Sequence, residues 1–173
     1  MGTAEQPSQA KLFLALLYRP DAALDAIMIE ITHAFGAVER MYGPIQFAFS
    51  DYYKDEVGER PLKQYMTFER LIERDMLPAV KTATNAIEAR YLDNGVRTAN
   101  LDPGYLVKDK LVLATTKDFY HRLYLAQGIF GEVTLHFRKG VFRYFSWTYP
   151  DYMDPAFLEF LTKERAAFVH EVP

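Results

Sequence analysis

Apolar runs with strand-like and helical spacing alternate along most of this chain. Residues 11–19, KLFLALLYR, are almost continuously apolar and stop at Pro20, which predicts a buried strand. The period then changes. Leu24, Ile27, Met28 and Ile31 fall at helical spacing, with Asp21 placed to cap the helix and Gly36 to close it. Residues 38–49 predict a second strand broken at Gly43-Pro44, 50–61 a loop, and 62–72, LKQYMTFERLI, a third strand. MLPAVKTATNAIEARYL predicts a second helix, with Pro78 tolerated near its start and Asn94-Gly95 at its end. KLVLATT, 110–116, is apolar enough for a central strand buried on both faces. The order β-α-β-β-α-β is that of a ferredoxin-like unit, with 110–116 as its fourth strand.

Three further strands joined by tight turns follow. Lys139-Gly140 reads as a two-residue hairpin loop, and 126–128 as a three-residue loop with Gly128 in the left-handed region. That register pairs Leu125 with Ile129 and Arg122 with Glu132. It also sets Trp147 opposite Glu132, Phe145 opposite Thr134 and Arg143 opposite His136. One face then carries Leu123, Leu125, Val133, Leu135, Phe137, Phe142 and Tyr144 as core. Arg122, Tyr124, Glu132, Thr134, His136, Arg143 and Trp147 lie on the other. His121 falls on the apolar face. A helix over 155–170, with an apolar stripe of Phe157, Phe160, Leu161 and Phe168, closes the chain. The expected fold class is α+β: a ferredoxin-like start extended by C-terminal antiparallel strands and a terminal helix. Residues 1–10 read as a disordered tail and 11–173 as one domain.

Composition narrows the function. The net charge of −3 lacks the basic excess that general nucleic-acid binding relies on. With no cysteine, disulfides, thiolate metal sites and thiol catalysis are excluded. The polar start and the short apolar run after it match neither a signal peptide nor a membrane span, so a soluble cytoplasmic protein is expected.

No GxxxxGK[ST], GxGxxG, HExxH or GxSxG pattern is present. Candidate chemistry gathers instead around the strand at 110–116. Lys117, His121 and Arg122 follow it within six residues, and a turn there aims three cationic or ionisable groups at one anion, with Thr115 and Thr116 adding hydroxyls. The competing reading pairs Arg122 with Glu132 across the hairpin. Asp102-Pro103-Gly104 carries a turn signature. Asp51 and Asp102 are the weak metal candidates, and neither sits in a calcium-loop spacing. WTYPDY places Trp147, Tyr149 and Tyr152 beside Asp151, where an aromatic stacks a flat ring or covers the core.

The ordered blocks KLFLALLY, DYYKDEVG, LKQYMTFERLI, NLDPGYL, LVLATTKD, HRLYLAQGIFGEVTL and WTYPDY resemble DUF4416, a bacterial family of unknown function, from about residue 11 to the terminal helix. Val57 and Thr67 depart from the expected Met and Ser. The resemblance implies no established activity. Some members carry the label GTP-binding protein, but the GKS/T and NKxD elements of a GTPase are missing here, so it implies at most nucleotide binding without a P-loop.

Three functional readings follow. The first is binding, with or without turnover, of a small anionic or nucleotide-like ligand by Thr115, Thr116, Lys117, Arg122, Tyr124, Glu132, Trp147 and Tyr149, with His121 and Asp151 as proton-transfer candidates. The second is a non-catalytic interaction module using the aromatic-rich sheet face. The third is a metal-dependent hydrolase built on Asp51, Asp102 and Glu132.

Overall fold

The first apolar run lies inside the sheet, paired on both edges. In the computed structural model, which describes residues 2–47 and 60–171, it forms β1 (Ala10–Tyr18), all nine residues of which are buried. β1 runs between β3 (Leu62–Ile72) and β6 (Ala99–Val107), antiparallel to both. Outward from β3 lies β2 (Val38–Gln46). Outward from β6 come β7 (Lys110–Thr115), β9 (Ile129–Arg138) and β10 (Val141–Tyr144), giving the order β10-β9-β7-β6-β1-β3-β2 with every neighbour antiparallel. β8 (Leu123–Ala126) also pairs with β9. A small hairpin, β4 (Leu92–Asp93) and β5 (Val96–Arg97), stands apart. Among the described residues the fold is α+β, with one large antiparallel sheet and three α-helices.

Period-two alternation decides what each face meets. Leu12, Leu14 and Leu16 point to α1 (Leu24–Phe35) and α2 (Leu77–Arg90), packing with Ile27, Ile31, Val80 and Ile87. Phe13 and Ala15 point to α3 (Pro155–Glu171), where Tyr65, Phe157 and Leu161 complete an aromatic core.

The sheet forks between β6 and β7. Their ladder runs from Val107–Lys110 to Gly104–Leu113 and stops, although β6 continues back to Ala99 on β1 and β7 continues to Thr115 on β9. Two residues explain where it stops. A Cβ on Gly104 would lie 2.3 Å from the Val112 carbonyl oxygen and 2.7 Å from Leu113 Cδ2, so only glycine permits the last close pairing. Pro103, next to it, has no N–H to offer a further rung.

Several expectations change. The strand flanking β1 on this side is β6, not 110–116, which forms the next strand outward. Asp102-Pro103-Gly104 is therefore strand, not turn. α2 ends at Arg90, and Asn94-Gly95 turns the small hairpin. Asp21 does not cap α1; its carboxylate accepts hydrogen bonds from the Arg19 guanidinium at 2.9 and 2.6 Å. The strand at 38–49 is seen as 38–46, and the loop at 50–61 falls mostly outside the described residues.

The β8–β9 turn has two residues rather than three. Ala126 pairs with Ile129 across Gln127 (φ 55°) and Gly128 (φ 76°), and the extra residue is a bulge at Leu125. Leu125 thus does not face Ile129, yet bulge and longer loop give the same offset, and Arg122 still meets Glu132. Leu123, Leu125 and Tyr144, expected in the core, are exposed, while Glu132 and Thr134 are buried. The Lys139-Gly140 turn forms as expected, with His136 opposite Arg143, but β10 ends at Tyr144. There Thr148 takes over: its hydroxyl donates to Thr134 O at 2.7 Å and accepts from Phe145 N at 2.9 Å. Trp147 consequently does not face Glu132, nor does Phe145 continue the ladder to Thr134.

Candidate functional site

A cavity of about 580 Å³ occupies the fork, a volume suited to a small ligand. Asn100 and Asp102 line it from β6, and Leu113 to Lys117 from β7 and the turn after it. Lys81, Asn85 and Glu88 enter from α2, where they stand at i, i+4 and i+7 and so share one face. Lys63, Tyr149, Asp151 and Tyr152 reach it as well, as do Arg97, Phe119, His121, Arg122 and Glu132.

Three hydrogen-bonded groups build the walls. In the first, Lys81 Nζ donates to Leu101 O at 2.8 Å and lies 3.4 Å from Asp102 Oδ1. Asn100 Nδ2 donates to Asp102 Oδ2 at 2.7 Å, and Arg97 donates to Asn100 Oδ1 at 2.9 Å and to Glu88 Oε2 at 3.0 Å. The Leu101 N–H closes the group onto Glu88 Oε1 at 2.7 Å. Burial pushes the Glu88 carboxyl above the ordinary range against the pull of Lys81.

In the second, Asp151 Oδ2 accepts from Lys63 Nζ and from the Tyr65 hydroxyl at 2.9 Å. The Lys63 ammonium also lies 4.9–5.4 Å from the ring centres of Tyr152, Phe47 and Tyr65, whose faces attract a cation. Burial, with the Asp151 charge beside it, drives the Tyr65 phenol far above its usual value.

The third group is the hairpin corner. Glu132 Oε2 accepts from Arg122 Nε at 2.8 Å and lies 3.1 Å from His121 Nε2, while the Arg122 guanidinium donates to Lys117 O at 3.0 Å. Burial disfavours the Arg122 charge, but the Glu132 carboxylate outweighs it and the proton is held more tightly than usual. His121 stacks on Trp147 at 5.1 Å and 14°, and Trp147 stacks in turn on Phe145 at 4.6 Å. His121 Nδ1 is enclosed and has no hydrogen-bond partner among the described residues.

Of the residues expected at a site, Thr115, Thr116, Lys117, His121, Arg122, Glu132, Tyr149, Asp151 and Asp102 line one cavity. Trp147 does not; it backs His121 and donates its indole N–H to Val133 O at 3.1 Å. Tyr124 does not either, and meets Phe130 edge-on at the surface. Asp51 lies outside the described residues, and among those described no three His, Asp or Glu side chains gather to hold a metal. Thr115 Oγ1 accepts from Lys117 N at 3.2 Å, shaping the turn. Sequence reading missed Lys63, Lys81, Asn85, Glu88, Arg97 and Asn100. The signal for three of them was the polar stripe Lys81, Asn85 and Glu88 beside the apolar positions of α2.

Among the described residues no helix is long and apolar enough to cross a membrane. No curated protein and no solved structure matches the chain. A family does: residues 8–168 match DUF4416, a domain of unknown function, and the chain belongs to that family.

Proposed function

We propose that the protein binds a small anionic ligand in the sheet fork. The observation that carries this reading is the charge of the cavity wall. Among the described residues, five cations (Lys63, Lys81, Arg97, Lys117 and Arg122) and four carboxylates (Glu88, Asp102, Glu132 and Asp151) line one cavity. These residues carry a positive surplus in a setting of reduced dielectric, where an anion is held more firmly than in water. Lys117 and Thr116, at the end of β7, contact the anion, and Arg122 fixes Glu132 beside them. If the ligand is turned over, His121 and Asp151 are the groups that move a proton. The order β6-β1-β3-β2, with α1 and α2 on one face, supports reading this part of the sheet as a ferredoxin-like unit.

A thermal-shift panel of inorganic phosphate, sugar phosphates, nucleotides and divalent metals tests the reading. A ligand at 100 times its Kd stabilises by about 2.7 kcal/mol. We expect a phosphate-bearing compound to raise Tm and Lys117→Ala to diminish that rise. A response to metals alone sinks the proposal.

A second reading, an interaction surface, rests on Phe119, Tyr120, Leu123 and Tyr124, four large exposed side chains of which Phe119 lines the cavity. Sedimentation of the protein with Tyr120 and Leu123 changed to Ser separates the two: only an interaction surface loses an associated state.

A further inference from the structure

The four carboxylates of the cavity wall are not equivalent. The side chains of Glu88, Glu132 and Asp151 are 7, 4 and 2 % exposed, whereas that of Asp102 is 31 % exposed. Asp102 stands on the β6 side of the fork, two residues before the last rung of the β6–β7 ladder. Behind it, Asn100 Nδ2 holds Oδ2 and Lys81 Nζ approaches Oδ1. Asn100 is itself held by Arg97, so the carboxylate is oriented before anything binds.

A carboxylate oxygen has two lone-pair sites. On Asp102 each oxygen has one cationic or amide neighbour and one site left. Such an acceptor pair suits two adjacent donors. A ligand ammonium is disfavoured there, because Lys81 already lies against the same carboxylate, and Arg97 stands behind it on Asn100. A metal is disfavoured for the same reason. Neutral hydroxyls meet no such penalty and form charge-assisted hydrogen bonds.

We infer that Asp102 receives two neighbouring hydroxyls, and that the ligand is therefore a phosphorylated polyol, either a free sugar phosphate or the ribose phosphate of a nucleotide. This rests on the anion reading above: the phosphate lies toward Lys117 and Thr116 and the diol toward Asp102. The ring of Tyr149, half exposed, lines the same cavity.

Calorimetric titration of the full chain tests it, with ribose 5-phosphate, 2-deoxyribose 5-phosphate, AMP, 2′-deoxy-AMP and inorganic phosphate as probes. The ribo compound of the pair that binds should exceed its deoxy partner about tenfold in affinity, the value of one lost charge-assisted hydrogen bond. Asp102→Asn should bring that ratio close to one. Tighter binding of AMP than of ribose 5-phosphate assigns a nucleotide; the reverse assigns a sugar phosphate. Equal binding of ribo and deoxy forms in the unaltered protein overturns the diol assignment and needs no variant to do so. An unchanged ratio in a folded Asp102→Asn protein overturns the role of Asp102. If none of the five probes binds, the anion reading fails and this inference with it.

Discussion

Among the described residues charge is buried in two places, and one of them, the sheet fork, lines a cavity. At the sheet fork, Glu88, Glu132 and Asp151 are sunk in the wall of an accessible space. On the α3 side of the sheet, Glu164 is equally buried, but α3 itself carries it onto the strands. Thr67 Oγ1 donates to Glu164 Oε2 at 2.6 Å, and Arg40 Nε lies 3.2 Å from Oε1 without hydrogen-bond alignment. Lys11 and Glu39 pair nearby. Buried charge alone therefore does not mark a site here. What distinguishes the fork is buried charge beside two strands that have stopped pairing.

The largest effect should come from Arg122→Ala. It leaves Glu132, 4 % exposed, without its main partner, and breaking a buried pair in this way costs about 3–5 kcal/mol. Urea denaturation measures it. A loss under about 1 kcal/mol would show that His121 and solvent suffice for Glu132, and that Arg122 is free to serve a ligand. Gly104→Ala should cost less, about 1–3 kcal/mol, because a methyl group pressed on Val112 O pushes β6 from β7. The same variant should weaken ligand binding; a protein unaltered in both respects would mean that the last rung does not set the fork.

Glu164→Gln probes the closed region. Burial lifts the Glu164 carboxyl above its ordinary range, against Thr67 and Arg40. With the folded value above the unfolded one, the stability this group contributes is complete below the ordinary carboxylate pKa and is lost as pH rises through the raised one. Glutamine keeps an acceptor for Thr67 and carries no charge. At pH 7 the variant should match the parent or gain about 1 kcal/mol or less, and the difference should vanish near pH 4. A clear loss at pH 7 would show the ionised carboxylate to be a net asset. The smallest effect is expected for Leu123→Ser. Leu123 is 75 % exposed, so its melting curve should shift by less than about 0.5 kcal/mol.

Leu123 also shows where reading from sequence ends. Alternation along β8 assigns it to the core correctly only if something covers that face, and the main neighbour of β8 is β9. Local signals were reliable where burial was continuous: the run that became β1, the stripe of α1 and the third strand all read directly. Residues 99–107 were misread because Pro103 and Gly104 look like a turn, when their chemistry instead ends a ladder inside the sheet. The candidate site was legible in the part that is sequence-local, Thr115 to Arg122, together with its cross-strand partner Glu132. Its other half comes from α2, β3 and β6, and no single-sequence pattern states that Lys81 meets Asp102 or that Lys63 meets Asp151.

The position of β1 bears on how the chain comes to fold. It precedes the other described strands in the sequence and lies inside the sheet, yet its two partners lie at 62–72 and 99–107. Until residue 107 has emerged, at least one edge of a nine-residue apolar strand has no native partner. Such separated contacts slow folding, and an unpaired apolar edge invites pairing with other chains. Fragments ending before residue 99 should therefore aggregate, and folding of the whole chain should wait on the strand that also forms one side of the fork.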